Sequence, residues 1–266
     1  MSDRFPRLVA TDLDGTIVRA DGNISDRTVA ALENVQRLGV PVVFVTGRPP
    51  RWMGQVGERT GLRGLAVCSN GALLYDLRAE EVVDSFPLAA EIGLEVARRL
   101  REALPDIGFA VETLDGFAHE ESYHPHWADA SARVAAIDEI YTAGRVVKLL
   151  ARHQALDADA LLARARDVVG DVVELTHSSI SGLLEISVAG VSKATALALV
   201  CERLAVAAAD VVAFGDMPND LPMLAWAGEP YAVEGAHPDV LAAVERRAPS
   251  VEEDGVAHVL ERLFDL

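Results

Sequence analysis

The stretch Arg7-Leu8-Val9-Ala10-Thr11-Asp12-Leu13-Asp14-Gly15-Thr16 decides the fold. Residues 7–12 read as a buried strand, because the apolar run is bounded by charge and ends in Asp-Gly-Thr, a turn signal. Positions i and i+2 of an extended chain point the same way, so Asp12 and Asp14 can face one site, and Gly15 lets the chain turn at once. In an open α/β sheet, ligands bind just beyond the carboxyl ends of the strands. Two carboxylates there are costly unless a cation or a substrate proton compensates.

Outward from this stretch, residues 26–38 carry apolar positions at helical spacing, with Gly39 as a stop. Residues 40–45 form a strand that runs into Thr46-Gly47-Arg48-Pro49, and 51–60 are a weaker helix candidate. Residues 64–75 read as strand, Asn70-Gly71 turn, strand, a tight hairpin. Strands that are apolar nearly throughout, alternating with helices, predict a parallel sheet covered on both faces. The same texture returns late: a helix at 192–204, a strand at 210–214 leading into Gly215-Asp216, a helix at 219–226, a strand at 230–233 and a helix at 253–264. Between them, helices at 88–104 and 155–167 and more alternating strands at 108–113, 145–150, 172–176 and 183–187 predict an inserted α+β domain. The expected bounds are 1–82 and 189–266 for the first domain and 83–188 for the insertion.

The chain has 266 residues, and its 24 basic against 41 acidic side chains give a net charge of −17. That balance argues against non-specific binding to nucleic acid or to an anionic membrane. With 50% apolar residues the chain is not of a disordered class. From mass alone, folding buries roughly 73% of the unfolded surface, ample for one large core or two modest ones. Cys68 and Cys201 lie 133 positions apart and suggest neither a disulfide framework nor a metal knuckle. The N-terminus meets an acidic residue before any long apolar run, so no signal peptide is expected, and no run of 18 apolar residues suggests a transmembrane helix. A cytoplasmic setting is the expectation. All basic residues are arginine except Lys148 and Lys193, which singles out both.

Four polar clusters then fall at strand or helix ends: Asp12 with Asp14, Thr46 with Arg48, Lys193 at the start of a helix, and Asp216 with Asn219 and Asp220. If the core strands are parallel, all four lie on one edge of the sheet. Carboxylates with one lysine and one hydroxyl describe a site for Mg²⁺ and phosphate, since magnesium wants hard oxygen ligands and a phosphoryl group wants hydroxyl, N–H and ammonium donors. A carboxylate can attack phosphorus, and a second one can protonate the leaving alcohol and later activate water.

In this set the chain resembles the haloacid dehalogenase superfamily. The matching segments are DLDGT at 12–16, TGR at 46–48, Lys193 within GVSKATAL, and GDMPNDLPML at 215–224. With NGA at 70–72 and EDGVAHVL at 253–260, it is similar to the Cof-type phosphatase subgroup. The resemblance covers 8–75 and 186–262 in pattern. The 145-residue gap from Arg48 to Lys193 suits that subgroup's large inserted cap. It implies an α/β fold class, a Rossmann-like parallel-sheet core with an inserted α+β cap domain. It also implies Mg²⁺-dependent hydrolysis of small phosphomonoesters, sugar or polyol phosphates, through an aspartyl phosphate. By the resemblance Asp12 is nucleophile and metal ligand, Asp14 general acid/base with its carbonyl on the metal, and Thr46 a phosphoryl holder. Lys193 neutralises Asp12 and phosphate, Asp216 is a metal ligand, and Asn219 and Asp220 support the metal shell. Met217-Pro218 departs from the glycine of many relatives and should stiffen the loop.

Arg48 reads either as structural or as reaching towards the cap. Lys148 reads either as a solvated strand residue or as a substrate contact. The cluster from His119 to Trp127 reads either as a plain surface loop or, since His124 and His126 could share a face, as a set of substrate contacts or a second metal site. Cys68 reads as core rather than nucleophile. Two other functions use the same residues: a sugar phosphomutase, and a phosphometabolite-binding protein without catalysis. The expected partner is a small phosphorylated molecule, on a monomer or homodimer.

Overall fold

A computed structural model describes residues 5–126, 130–142 and 144–266. Trp127, part of the aromatic cluster noted above, lies outside the described residues. The chain forms two compact units, one of residues up to Asp84 with Ser192–Leu266, the other Ser85–Val191.

In the first unit the chain runs through β1 (Leu8–Thr11), α1 (Asp26–Arg37), β2 (Val42–Val45), α2 (Met53–Thr60), β3 (Leu65–Cys68), β4 (Leu73–Asp76) and β5 (Glu81–Ser85). The insertion follows as α3 (Ala90–Ala103), β6 (Gly108–Thr113), β7 (Phe117–His119), β8 (Arg133–Val134), α4 (Ile137–Thr142), β9 (Val146–Asp157), α5 (Ala158–Val169), β10 (Val173–Thr176) and β11 (Ser181–Val188). The chain re-enters the first unit with α6 (Lys193–Arg203), β12 (Val211–Gly215), α7 (Leu221–Trp226), β13 (Glu229–Val233), α8 (Pro238–Ala243), β14 (Arg247–Ala248) and α9 (Gly255–Phe264).

The first unit is built on one eight-stranded sheet, ordered β14-β13-β12-β1-β2-β3-β4-β5. From β14 through β3 every pairing is parallel, and β4 turns back antiparallel on β3. β1 is buried along its whole length, as its unbroken apolar run requires. β2 and β3 follow β1 on one side, while β12 and β13 lie on the other. The order therefore reverses between β1 and β12, the topological switch point where doubly wound sheets open a crevice. The fold is the expected α/β class with a parallel-sheet core.

The hairpin between β3 and β4 is present but not tight. Ser69, Asn70 and Gly71 all adopt positive φ angles, and the first strand residues paired across the loop are Cys68 and Leu73. The extra residues let the loop sit on the sheet edge. Cys68 and Cys201 are both buried in the core, without a disulfide.

The inserted unit is a six-stranded sheet, β10-β11-β9-β6-β7-β8, antiparallel except for β7 with β8. Alternation sorts its two faces. Leu149 and Ala151 of β9, Phe109 and Val111 of β6, and Leu184 and Ile186 of β11 pack with Val96 and Leu100 of α3 and Leu161 of α5. The alternate positions Glu112, Lys148, Arg152, Glu185 and Ser187 are polar, and all are buried. β9 runs seven residues past the expected end at 150, so 155–157 are strand rather than helix. Asp157 ends it and caps α5, accepting from the Ala160 N–H at 2.8 Å. Among the described residues, no helix is long and apolar enough to cross a membrane.

Candidate active site

The carboxyl ends of β12, β1, β2 and β3, four neighbouring parallel strands, carry Asp216, Asp12, Thr46 and Asn70 in turn. Lys193 is the first residue of α6, whose N-cap Ser192 closes a capping box with Thr195. The lysine is 1% exposed, and its Nζ donates to Asp12 Oδ1 at 2.5 Å and to Asp220 Oδ1 at 2.6 Å. The other oxygen of Asp220 accepts from the backbone N–H groups of Asp216 and Met217, each at 3.0 Å. Asp220 thus braces the turn after β12 and orients the lysine, and its oxygens are largely spent. Asp216 is held by the Thr16 hydroxyl at 3.1 Å.

Glycine is required at two points. A Cβ at Gly15 would lie 2.2 Å from Asp216 Oδ2, and its φ of +79° already disfavours a side chain. A Cβ at Gly215 would meet the Asp220 side chain at 2.6 Å. Both bring a carboxylate close to backbone, which no larger residue permits.

The electrostatics follow from crowding. Burial pushes the Asp12 carboxyl well above the ordinary aspartate range; Asp220, Asp216 and Asp14 add to the shift, and Lys193 opposes it. Burial, with Asp220 next to it, pushes Asp216 up to about 7. For Lys193 burial alone would favour the neutral amine, but Asp12 and Asp220 outweigh it and raise the ammonium above the ordinary lysine value. Asp12, Asp216 and Asp220 each present an oxygen, all within 4.8 Å of one another. Three carboxylates against one ammonium leave two negative charges, the deficit that one divalent cation fills. Hard oxygen donors fit magnesium.

Asp14 stands apart from this knot. Its side chain is 59% exposed, and Arg48 grips it in a fork, Nε at 2.8 Å and Nη2 at 2.5 Å. Arg48 therefore has a partner inside its own unit. The Thr46 hydroxyl oxygen accepts from the Arg48 N–H at 3.0 Å, and its proton stays available to donate.

On the inserted unit, Lys148 is 3% exposed and pairs with Glu185 at 2.6 Å. The reading of a solvated strand residue is corrected: alternation puts Lys148 on the buried polar face. His124 is exposed in a left-handed turn (φ 49°), and the His126 ring contacts the Arg152 guanidinium. Among the described residues neither histidine belongs to a cluster of three potential metal ligands.

Sequence reading quoted Thr16 and Asn70 within matching segments but gave Thr16 no role of its own and Asn70 none beyond forming a turn. Asn70 in fact accepts the Asn219 amide at 3.0 Å. The available signal was its place directly after a core strand neighbouring that of Thr46.

Acid, hydroxyl and ammonium groups gathered at the carboxyl ends of the parallel strands, beside the switch point, define a hydrolase-type α/β core. The chain belongs to the haloacid dehalogenase-like hydrolase family, whose model matches residues 9–260. It is 28% identical to a 5-amino-6-(5-phospho-D-ribitylamino)uracil phosphatase, YitU of Bacillus subtilis, over 98% of both chains. It is 27% identical to the HMP-PP phosphatase of Cronobacter sakazakii, over 97% of this chain and 96% of that one. Among solved structures, the haloalkanoate-superfamily phosphatase BT1666 of Bacteroides thetaiotaomicron shares the fold with a TM-score of 0.82 at 21% identity, covering 100% of this chain and 97% of that one.

Proposed function

We propose that this phosphatase hydrolyses small phosphomonoesters, sugar or polyol phosphates, by two in-line transfers through Asp12, with Mg²⁺ as cofactor. The observation that carries the reading is the Lys193 ammonium bridging Asp12 and Asp220 beside Asp216 at the sheet's switch point. A relative named for a phosphoribitylamino substrate, a phosphorylated polyol chain, supports the substrate class.

Asp12 and Asp216 would hold the metal, with the Asp14 carbonyl, and Asp220 would brace them. When bound, the cation supplies charge neutralisation for the phosphoryl oxygens. Lys193 keeps the Asp12 carboxylate aimed, and the Thr46 hydroxyl donates to a phosphoryl oxygen. An Asp12 oxygen forms a bond to phosphorus as the bond to the ester oxygen breaks, and that oxygen takes a proton from the Asp14 carboxylic acid. In the second step Asp14, now carboxylate, takes a proton from water, whose oxygen bonds to phosphorus and releases Asp12.

The test is phosphate release across sugar, polyol and nucleoside monophosphates, with and without Mg²⁺. Mg²⁺-dependent release that vanishes in Asp12→Asn supports the reading. Turnover that survives complete metal removal, or survives Asp12→Asn, overturns it. Transfer to a second sugar hydroxyl without free phosphate would identify a mutase.

A further inference from the structure

The turn Ser69-Asn70-Gly71 touches three of the site's loops at once. The Ser69 N–H donates to the Arg48 carbonyl at 2.9 Å, and the Asn70 N–H donates to the Thr46 carbonyl at 3.0 Å. The Asn70 side chain takes the Asn219 amide at 3.0 Å. Gly71 lies so close to the start of α6 that a Cβ there would stand 2.2 Å from the Ser192 carbonyl oxygen. One short segment therefore links the Thr46 loop, the turn bearing Asp216, Asn219 and Asp220, and the helix that presents Lys193.

Two features set this turn apart from ordinary packing. Three consecutive residues hold positive φ, at 51°, 58° and 102°, two of them not glycine, a conformation that surrounding structure must over-determine. The pairing of the two amides spends one donor and one acceptor. Whichever way the amides are oriented, one NH₂ and one carbonyl stay over, buried and without a partner among the described residues, as does the Ser69 hydroxyl. A turn serving packing alone has no use for spare polar groups in a buried place.

We propose that Asn70 is a positioning residue for the reaction: through Asn219 and the Thr46 backbone it fixes the spacing between the phosphoryl-holding loop and the metal-holding turn. This rests on the phosphatase reading above. Asn70→Gly keeps the left-handed backbone and removes only the amide, while Asn219→Ala removes the partner and leaves the 69–71 turn intact. With p-nitrophenyl phosphate, each variant is expected to lose about 10- to 100-fold in kcat with little change in KM, the scale of lost outer-shell support. The calorimetric Mg²⁺ dissociation constant should rise about tenfold in each. The double variant should be no worse than either single, because the two amides act as one unit.

Circular dichroism separates folding from function. A variant that melts earlier yet keeps wild-type kcat and Mg²⁺ affinity makes the turn structural only and overturns the proposal, as do additive losses. If Asn70→Gly does not fold, Asn219→Ala decides by the same two readouts. A wild-type protein without Mg²⁺-dependent phosphate release would sink the phosphatase reading instead. Mg²⁺ calorimetry on wild type and Asn70→Gly would then still decide the role of Asn70.

Discussion

The two sheets of this protein place their charges by opposite rules. In the parallel sheet β1, β2 and β12 are apolar nearly along their length, and Asp12, Thr46 and Asp216 stand just beyond their ends. In the inserted antiparallel sheet the charges stand within the strands, on alternate residues of one face. The two lysines make the contrast sharp. Both are buried and both pair with carboxylates at 2.6 Å or less. Lys193 serves two carboxylates from a helix start, where backbone geometry aims it. Lys148 faces Glu185 across adjoining strands, where sheet register aims it. Strand ends tolerate chemistry because loops there can vary around a fixed scaffold, whereas a charge inside a strand is bound to its neighbours.

Attacking the strand-end charges should stop the reaction, and attacking the in-strand charge should mainly cost stability. Asp12→Asn is expected to abolish turnover, a loss of at least about 1,000-fold in kcat, with the far-ultraviolet dichroism unchanged. Lys193→Met should lower kcat by about 100- to 1,000-fold, as a lost preorganised donor does, and should also lower the melting temperature. Lys148→Met is expected to cost about 3 kcal/mol by breaking its buried ion pair with Glu185, read by urea unfolding, while kcat for p-nitrophenyl phosphate stays within about threefold. Lys148→Met with Glu185→Leu should recover most of that stability. Were Lys148→Met as inactive as Lys193→Met, the contrast between the sheets would fail.

The smallest effect concerns pH. The folded-state pKa of Asp216 is raised to about 7. The unfolded chain therefore releases this proton first, and metal-free stability should fall as pH rises from about 4 to 7. On the proposed reading Mg²⁺ would favour the ionised Asp216, so its stabilisation, about 2.7 kcal/mol at a hundredfold excess over the dissociation constant, should shrink as pH drops through 7 towards 5. Thermal melts with and without Mg²⁺ at several pH values would show it.

The parallel core was legible because a strand covered on both faces must be apolar throughout, and β1, β2 and β12 are. That Asp12, Thr46 and Asp216 stand at the carboxyl ends of neighbouring parallel strands followed from strand direction alone. Legibility stopped where side chains meet. Nothing in the sequence said that Arg48 grips Asp14, since two loops on adjacent strands had to be placed first. The burial of Lys148 was hidden because alternation tells which residues share a face, not what covers it. β9 outran its expected end because Arg152, His153 and Gln154 look like a break, yet they continue the extended backbone.

β1 and β12 are neighbours in the sheet, yet Leu8 sits beside Val211, 203 positions further along. Pairings this remote are slow to form, and a chain still emerging from the ribosome lacks its late partner. Asp12 would therefore leave the ribosome long before Lys193 and Asp220 exist to hold it, with all of 85–191 synthesised in between. During that interval the first strands show an uncovered apolar edge, which chaperones recognise and other chains can join. Because its halves arrive so far apart, Asp12 gains its surroundings only near the end of translation.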